Sequence, residues 1–381
     1  MLQTNPNELN RVSHTYYQVG DFKTVSKTLA LEKANGDISK VQFCWMDKIW
    51  DNTNMTQEPV ASWAELCRMR AQQLRDRYTH LALMYSGGWD SHTALMSFIR
   101  NNIHLDEIIV WDRSSHVVDP EMPVAYESAK QIIKDHGLQT KLTVFEIPWD
   151  FHAEIYKEFG EDWIYLPGCH YCFNKTMRVL QHQRQKELLD VKRPYSRVSS
   201  CYIEAHDRPR VSFHDNKWYT FYVDTALSAY WATESGGPEM FYFTPDFPEL
   251  HLKQVYMSMK YFEYKLNSDP TFTSQTIHEI QSYTRPDLFA EYNMAIGRTS
   301  MADQSARLGL SKHNTLHTPK KLEMMKLLTH TKNYIEDVYR IYENGLKKIS
   351  EISGYDAVDG EVPSICSKFY FLRNFHSMRS A

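Results

Sequence analysis

Hydroxyls, glycines and a carboxylate stand side by side at Ser86-Gly87-Gly88-Trp89-Asp90-Ser91, and together they suit a phosphate or pyrophosphate ligand. Glycine reaches backbone angles closed to other residues and leaves no side chain between the main chain and an anion. The amides around Gly87 and Gly88 can therefore turn inward, with the Ser86 and Ser91 hydroxyls as further donors. Asp90 is a poor direct ligand for phosphate. A carboxylate beside a polyphosphate is, however, where a magnesium ion is held.

Such a loop needs a rigid element on each side. Residues 81–85 form an apolar run of strand length, and the two glycines that follow mark a sharp turn out of a buried strand. From Ser91 the apolar positions Ala94, Leu95, Phe98 and Ile99 recur at spacings of three and four, which predicts a helix with one buried face, capped by Asp90 or Ser91. A helix amino end adds unpaired amides and a partial positive charge. A plain turn and helix cap would use the same residues, but strand, glycine turn and amphipathic helix in this order are the context a phosphate loop requires. Neither GxxxxGK followed by Ser or Thr nor GxGxxG occurs in the chain.

The stretch resembles the SGGxDS signature of the PP-loop (N-type) ATP pyrophosphatases, with Ser86, Gly87, Gly88, Asp90 and Ser91 matching and Trp89 in the variable slot. The resemblance covers residues 79–148. It implies a Rossmann-like, doubly wound parallel sheet of the adenine nucleotide alpha-hydrolase type, binding ATP and Mg2+ and cleaving ATP to AMP and pyrophosphate. The asparagine synthetase-like branch is the expectation, without the glutaminase domain. Leu2 stands where that domain's catalytic cysteine would follow the initiator methionine, and the 78 residues before the loop region are too few for it. Free ammonia, an amine or a separate glutaminase subunit would then supply nitrogen.

Residues 107–111 predict a second strand, ending in Asp112-Arg113-Ser114. Ligands in open α/β sheets gather at the carboxyl ends of strands, so Asp112 or Ser114 would meet the ribose or adenine, unless this is a solvated loop. A crossover helix over 123–137, with Ala125, Ala129, Ile132 and Ile133 inward and Gly137 as C-cap, leads to a third strand over 141–147 that Pro148 ends. This alternation predicts parallel pairing and right-handed crossovers.

A second constellation is Cys169-His170-Tyr171-Cys172, followed by Lys175 and Arg178 on a predicted helix. Cys169 and Cys172 are half of a Zn2+ site that Cys201 and His206 would complete, or a redox pair, or structural. The 7-cyano-7-deazaguanine synthase branch carries a fuller cysteine cluster. Lys175 and Arg178 share one helical face, suited to neutralising the pyrophosphate leaving group, although a solvated surface is the common fate of such pairs.

Composition narrows the class. The 381 residues, 42% of them hydrophobic, support a sizeable core, and six irregularly spaced cysteines do not form a disulfide framework. No apolar run reaches membrane-spanning length and the amino terminus is polar, so a cytoplasmic protein with no membrane partner is expected. A formal charge of -4 argues against a polyanion-binding surface over the whole protein and leaves a local nucleic-acid patch open.

The chain divides on this reading into residues 1–78, a β-hairpin and helix extension; 79–207, the ATP-binding α/β part; 208–248, a hairpin and Gly-rich insertion; and 249–381, a mostly helical part. The first hairpin is predicted from 24–31 and 40–45 about Asn35-Gly36-Asp37, and the helix over 62–78 from the capping box of Ser62 with Glu65. Trp63, Leu66, Met69, Arg70 and Leu74 give that helix a mixed face with several arginines outside. A further hairpin is predicted from 210–214 and 218–223. The stretch 234–241 is either a Gly-Gly-Pro turn or a loose likeness to the Gly- and acid-rich substrate loop of asparagine synthetases. Helices over 249–266 and 320–349 follow, the latter with Leu322, Met325, Leu328 and Ile335 as a stripe. His251, Lys253, Arg285, Arg298 and Arg307 are all available to anionic ligands there, and nothing in the sequence selects among them.

The expected activity is an AMP-forming ligase or amidating reaction. Sulfur chemistry of the tRNA-thiolating or PAPS reductase type, a deazaguanine synthase-like reaction, and a non-catalytic adenine-nucleotide-binding protein are the alternatives.

Overall fold

The computed structural model describes residues 15–112, 121–146, 156–166, 200–205, 209–224, 239–282, 284–299, 336–358 and 362–375. Its amino-terminal part differs from the predicted hairpin. β1 (Thr15–Val19) turns at Gly20 into β2 (Phe22–Thr24), and most of the strand predicted over 24–31 is instead helix α1 (Lys27–Lys33). The physical reason is local: Ser26 caps the helix by accepting from the Leu29 amide, and Leu, Ala, Glu and Lys favour helix. Asn35-Gly36 ends that helix instead of turning a hairpin. Gly36 is left-handed (φ +78) and its amide reaches back to the Leu31 carbonyl at 2.9 Å. β3 (Gln42–Trp45) then returns antiparallel to β1, giving the order β2-β1-β3.

Helix α2 (Asp47–Asp51) leads to α3 (Trp63–Arg77), where the Ser62 hydroxyl accepts from the Glu65 amide as predicted. Glu65 turns to Arg68 instead, Met69 points outward, and Arg70 is buried. Arg70 is neutralised by Glu239 at 3.0 Å and donates to the Met240 carbonyl at 2.6 Å.

The strands β4 (His80–Met84), β5 (Glu107–Asp112), β6 (Lys141–Glu146), β7 (Ser200–Glu204) and, later in the chain, Glu239–Met240 form a five-stranded sheet in which every pairing is parallel. β4 is central, with β5 and β6 on one side and β7 and Glu239–Met240 on the other. The molecule is thus mixed α/β around a parallel sheet. Alternate strand residues face opposite ways. Leu81, Leu83, Ile108 and Val110 join the main core with Ala94, Leu95 and Phe98 of α4 (Trp89–Ile99) and Ala125, Ala129 and Ile132 of α5 (Glu121–Asp135). Ala82, Met84, Ile109 and Tyr202 form a second cluster on the other face.

The predicted second hairpin is present as β8 (Arg210–His214) and β9 (Lys217–Phe221), turning through Asp215 and Asn216, both left-handed. Glu239 and Met240, read as part of a loop, are the fifth parallel strand, β10. Helices α6 (Pro248–Ser268), α7 (Ser274–Gln281), α8 (Pro286–Ala295) and α9 (Glu336–Ser353) follow. Leu322, Met325, Leu328 and Ile335 lie outside the described residues. β11 (Tyr370–Asn374) closes the order β11-β9-β8, burying Tyr370 and Leu372 while Phe369 and Phe371 face outward. One connected core runs from Tyr17 to Leu372, so the amino-terminal hairpin packs into the body. Among the described residues no helix is long and apolar enough to cross a membrane.

Candidate functional site

The loop begins where β4 runs out. The Tyr85 amide makes a last link to the Ile109 carbonyl (2.8 Å), and the chain then leaves the sheet at exposed Ser86. Gly87 is left-handed (φ +70), and a Cβ there would stand 3.5 Å from the Ala125 Cα, an ordinary contact. The dihedral, not crowding, asks for glycine.

The helix starts earlier than predicted. Gly88 is its N-cap and Trp89 its first residue, so neither Asp90 nor Ser91 caps it, and no side chain takes the Gly88 capping role. The Ser91 hydroxyl instead folds back under the loop, accepting from the Ser86 amide at 3.2 Å and lying 3.1 Å from the Ser86 hydroxyl. An amino end without a side-chain cap, carrying a positive partial charge, is an anion site. It lies at the carboxyl end of the central strand, where the strand order reverses, which is where ligands bind open parallel sheets. β5 runs on past its last paired residues with β4, Met84↔Ile109, and ends at half-buried Asp112.

Asp90 meets a residue that sequence alone could not single out. Its Oδ1 is 2.5 Å from Nη1 of Arg298, just beyond α8. The Arg298 guanidinium is wholly buried, donates from Nη2 to the Gln254 Oε1 on α6 at 2.8 Å, and lies 3.6 Å from the ring centre of Tyr242. Tyr242 in turn donates its hydroxyl to the Asp90 carbonyl at 2.8 Å. One helix turn on, the Thr93 hydroxyl accepts from the Thr299 amide at 2.8 Å. The chain around 297–299 is thereby fastened to the first turns of α4.

The other cations named from sequence have different employment. Lys253 is paired with Glu58 at 2.8 Å, and Arg285 with Asp287 at 2.7 Å. His251 is enclosed by Trp45, Trp50, Tyr222 and Phe243. Burial, helped by the charge of Arg298, pushes its pKa down to about 3. Burial also holds His92, 3.1 Å by its Nδ1 from the Tyr85 hydroxyl, down to about 4, and raises the Tyr85 phenol. His92 and the Tyr85 phenol are therefore neutral near pH 7.

The chain matches no family model and no curated protein. Ser114, Cys169, Cys172, Lys175, Arg178, His206 and Arg307 lie outside the described residues. Cys201 is buried in β7 with its thiol donating to the Tyr202 carbonyl, and burial drives its pKa up. Among the described residues no group of three or more His, Cys, Asp or Glu side chains is arranged to hold a metal ion. Magnesium asks for less: one carboxylate, phosphate oxygens and waters suffice, and the Asp90 side chain, paired with Arg298, is 18% exposed to solvent. Tyr242 and Thr299 carry no motif; they reach the loop and its helix through pairings 152 and 206 residues apart, the kind of contact that periodicity cannot report.

Proposed function

We propose that the chain is an AMP-forming ATP pyrophosphatase of the PP-loop type, with ligase or amidating activity, built on a doubly wound sheet whose nucleotide part is residues 79–207. The observation that carries this reading is the left-handed Gly87 followed by an α4 amino end without a side-chain cap at the switch point of a parallel sheet. The loop amides and the Ser86 and Ser91 hydroxyls would hold the departing phosphates. Those hydroxyls bond each other at 3.1 Å and can rotate toward a ligand. Asp90 would bind Mg2+, which when present draws charge from the polyphosphate. Asp112 and Ser114 would bind the ribose or adenine, and Lys175 and Arg178 the leaving pyrophosphate.

The acceptor's carboxyl or carbonyl oxygen attacks the α-phosphorus, pyrophosphate leaves, and an amine or ammonia then displaces AMP at carbon. Carboxylate oxygen leaves poorly and AMP leaves well, so adenylation makes the second step feasible. Preorganised donors act on charge that develops as pyrophosphate departs. The acceptor, an ammonia source or separate glutaminase, and Zn2+ at Cys169 and Cys172 belong to the same reading.

The test is to incubate the protein with ATP, MgCl2, ammonium and a panel of carboxylic acids, and to separate the nucleotides by ion exchange. AMP and pyrophosphate in equal amounts support the proposal; ADP and phosphate overturn it. A second reading, nucleotide binding without turnover, draws on the neutralisation of Asp90 by Arg298. ATP recovered unaltered from a stable complex after prolonged incubation would favour it.

A further inference from the structure

Arg298 brings a fixed positive charge to the one carboxylate that the loop offers a metal. We infer that Arg298 is a positioning residue of the phosphate loop, holding Oδ1 of Asp90 so that guanidinium and magnesium share, and compete for, one carboxylate. This rests on the nucleotide reading above and adds to it a residue from a distant part of the chain.

The guanidinium is built in place. It is wholly buried, bonded to Gln254 at 2.8 Å, and stacked at 3.6 Å on Tyr242, which itself stacks on Trp63 with ring centres 5.9 Å apart. The Trp63 indole nitrogen donates to the Gly297 carbonyl at 2.9 Å, and a Cβ at Gly297 would fall 2.4 Å from the Trp63 ring. Gly297 is also left-handed (φ +78), so both the dihedral and the space require glycine immediately before Arg298. A guanidinium held this way cannot swing aside cheaply when a ligand arrives. A buried cation needs a counter-charge, and Asp90 provides it.

Two consequences follow for the loop. With the guanidinium 2.5 Å from Oδ1 of Asp90, the adjacent positive charge weakens metal binding at that carboxylate. The same charge sits beside the α4 amino end, where it supplements the helix dipole in attracting polyphosphate without any metal. Arg298 therefore moves metal dependence and metal-free nucleotide affinity in opposite directions.

The probe is α,β-methylene ATP, which binds without being cleaved, titrated calorimetrically in EDTA and over a MgCl2 series. Removing the guanidinium with Arg298→Gln is expected to lower the magnesium midpoint about tenfold and to weaken binding in EDTA about tenfold, the scale of one charge-assisted hydrogen bond. Arg298→Lys, which keeps charge and loses the planar fork, should restore most of both. A purely structural role weakens binding in both buffers together and overturns the inference, as does a magnesium midpoint within twofold of wild type. Thermal unfolding of the same samples checks that each variant is folded. Should the Gln variant not fold, Arg298→Met, which also removes the charge and keeps an apolar stem, carries the test, with the same two shifts expected and values within twofold of wild type refuting it. Wild-type protein that binds the probe in neither buffer overturns the nucleotide reading and this inference with it, whereas wild-type binding with unaltered variants overturns the inference alone.

Discussion

Acid should unfold this protein through a histidine that has nowhere to put a proton. His251 is wholly buried among Trp45, Trp50, Tyr222 and Phe243, and among the described residues neither ring nitrogen has a hydrogen-bond partner. Burial first, and then the nearby Arg298 charge, lowers its pKa to about 3. The unfolded chain takes up the proton near pH 6.5, the folded one only near 3, so stability is full above 6.5 and falls as pH drops through this window. Each pH unit between those limits removes about 1.4 kcal/mol. At pH 4.5 the loss from this group is about 3 kcal/mol, a sizeable part of the ~5–15 kcal/mol that holds a domain folded. His251→Phe keeps an aromatic ring in the cage and removes the titration. Urea unfolding at pH 7.5 and 4.5 should find the variant within about 1 kcal/mol of wild type at the higher pH and about 3 kcal/mol more stable at the lower. Parallel pH dependences for the two proteins would refute the argument. His92, held down to about 4 by burial, adds acid sensitivity to both, so the comparison isolates His251.

Gly87→Ala has room for its Cβ, 3.5 Å from Ala125, but must hold φ +70, so a stability loss of about 1–2 kcal/mol and weaker nucleotide binding are expected from thermal melts and calorimetry. Lys27→Met strands buried Asp224, which Lys27 meets at 2.8 Å and Tyr17 at 3.0 Å; a loss of about 3–5 kcal/mol is expected, and Lys27→Met with Asp224→Leu should recover much of it in chemical unfolding. Asp90→Asn removes the counter-charge of buried Arg298 and should cost about 2 kcal/mol in stability while pyrophosphate release falls by orders of magnitude; near-normal turnover would refute the catalytic assignment.

The glycine turn at 86–91 and the sheet behind it were legible because their signals are local. Strand β4, helices α4 and α5 and strands β5 and β6 each announce themselves by an apolar period and a glycine or proline stop, and the structure departs from those readings by a residue or two at the ends. The β8–β9 hairpin was legible for the same reason, since Asp215-Asn216 tolerates the left-handed turn it makes. Asn35-Gly36 misled because a left-handed glycine serves a helix end as readily as a hairpin turn. Only the Ser26 cap before it distinguishes the two, and residues 27–33 carry no period long enough to arbitrate.

Arg298 marks a different limit. Its neighbours in sequence give it no motif, and four other basic or histidine side chains in the same half looked equivalent. What separates it is the partner that folding assigns: Lys253 finds Glu58, Arg285 finds Asp287, and Arg298 finds Asp90 at the candidate site. A long-range ion pair is set by packing among Trp63 of α3, Tyr242 just past β10 and Gln254 of α6, so no short window of sequence contains it. The consequence for the loop is physical as well as positional. Motif residues that fix the backbone of a loop leave the charge around it to residues outside the motif, and here Arg298 sets a buried positive charge against the motif's only acid. Identical motif residues on a chain lacking that arginine would present a full carboxylate to the metal, and would be expected to need less magnesium and to hold nucleotide more weakly without it.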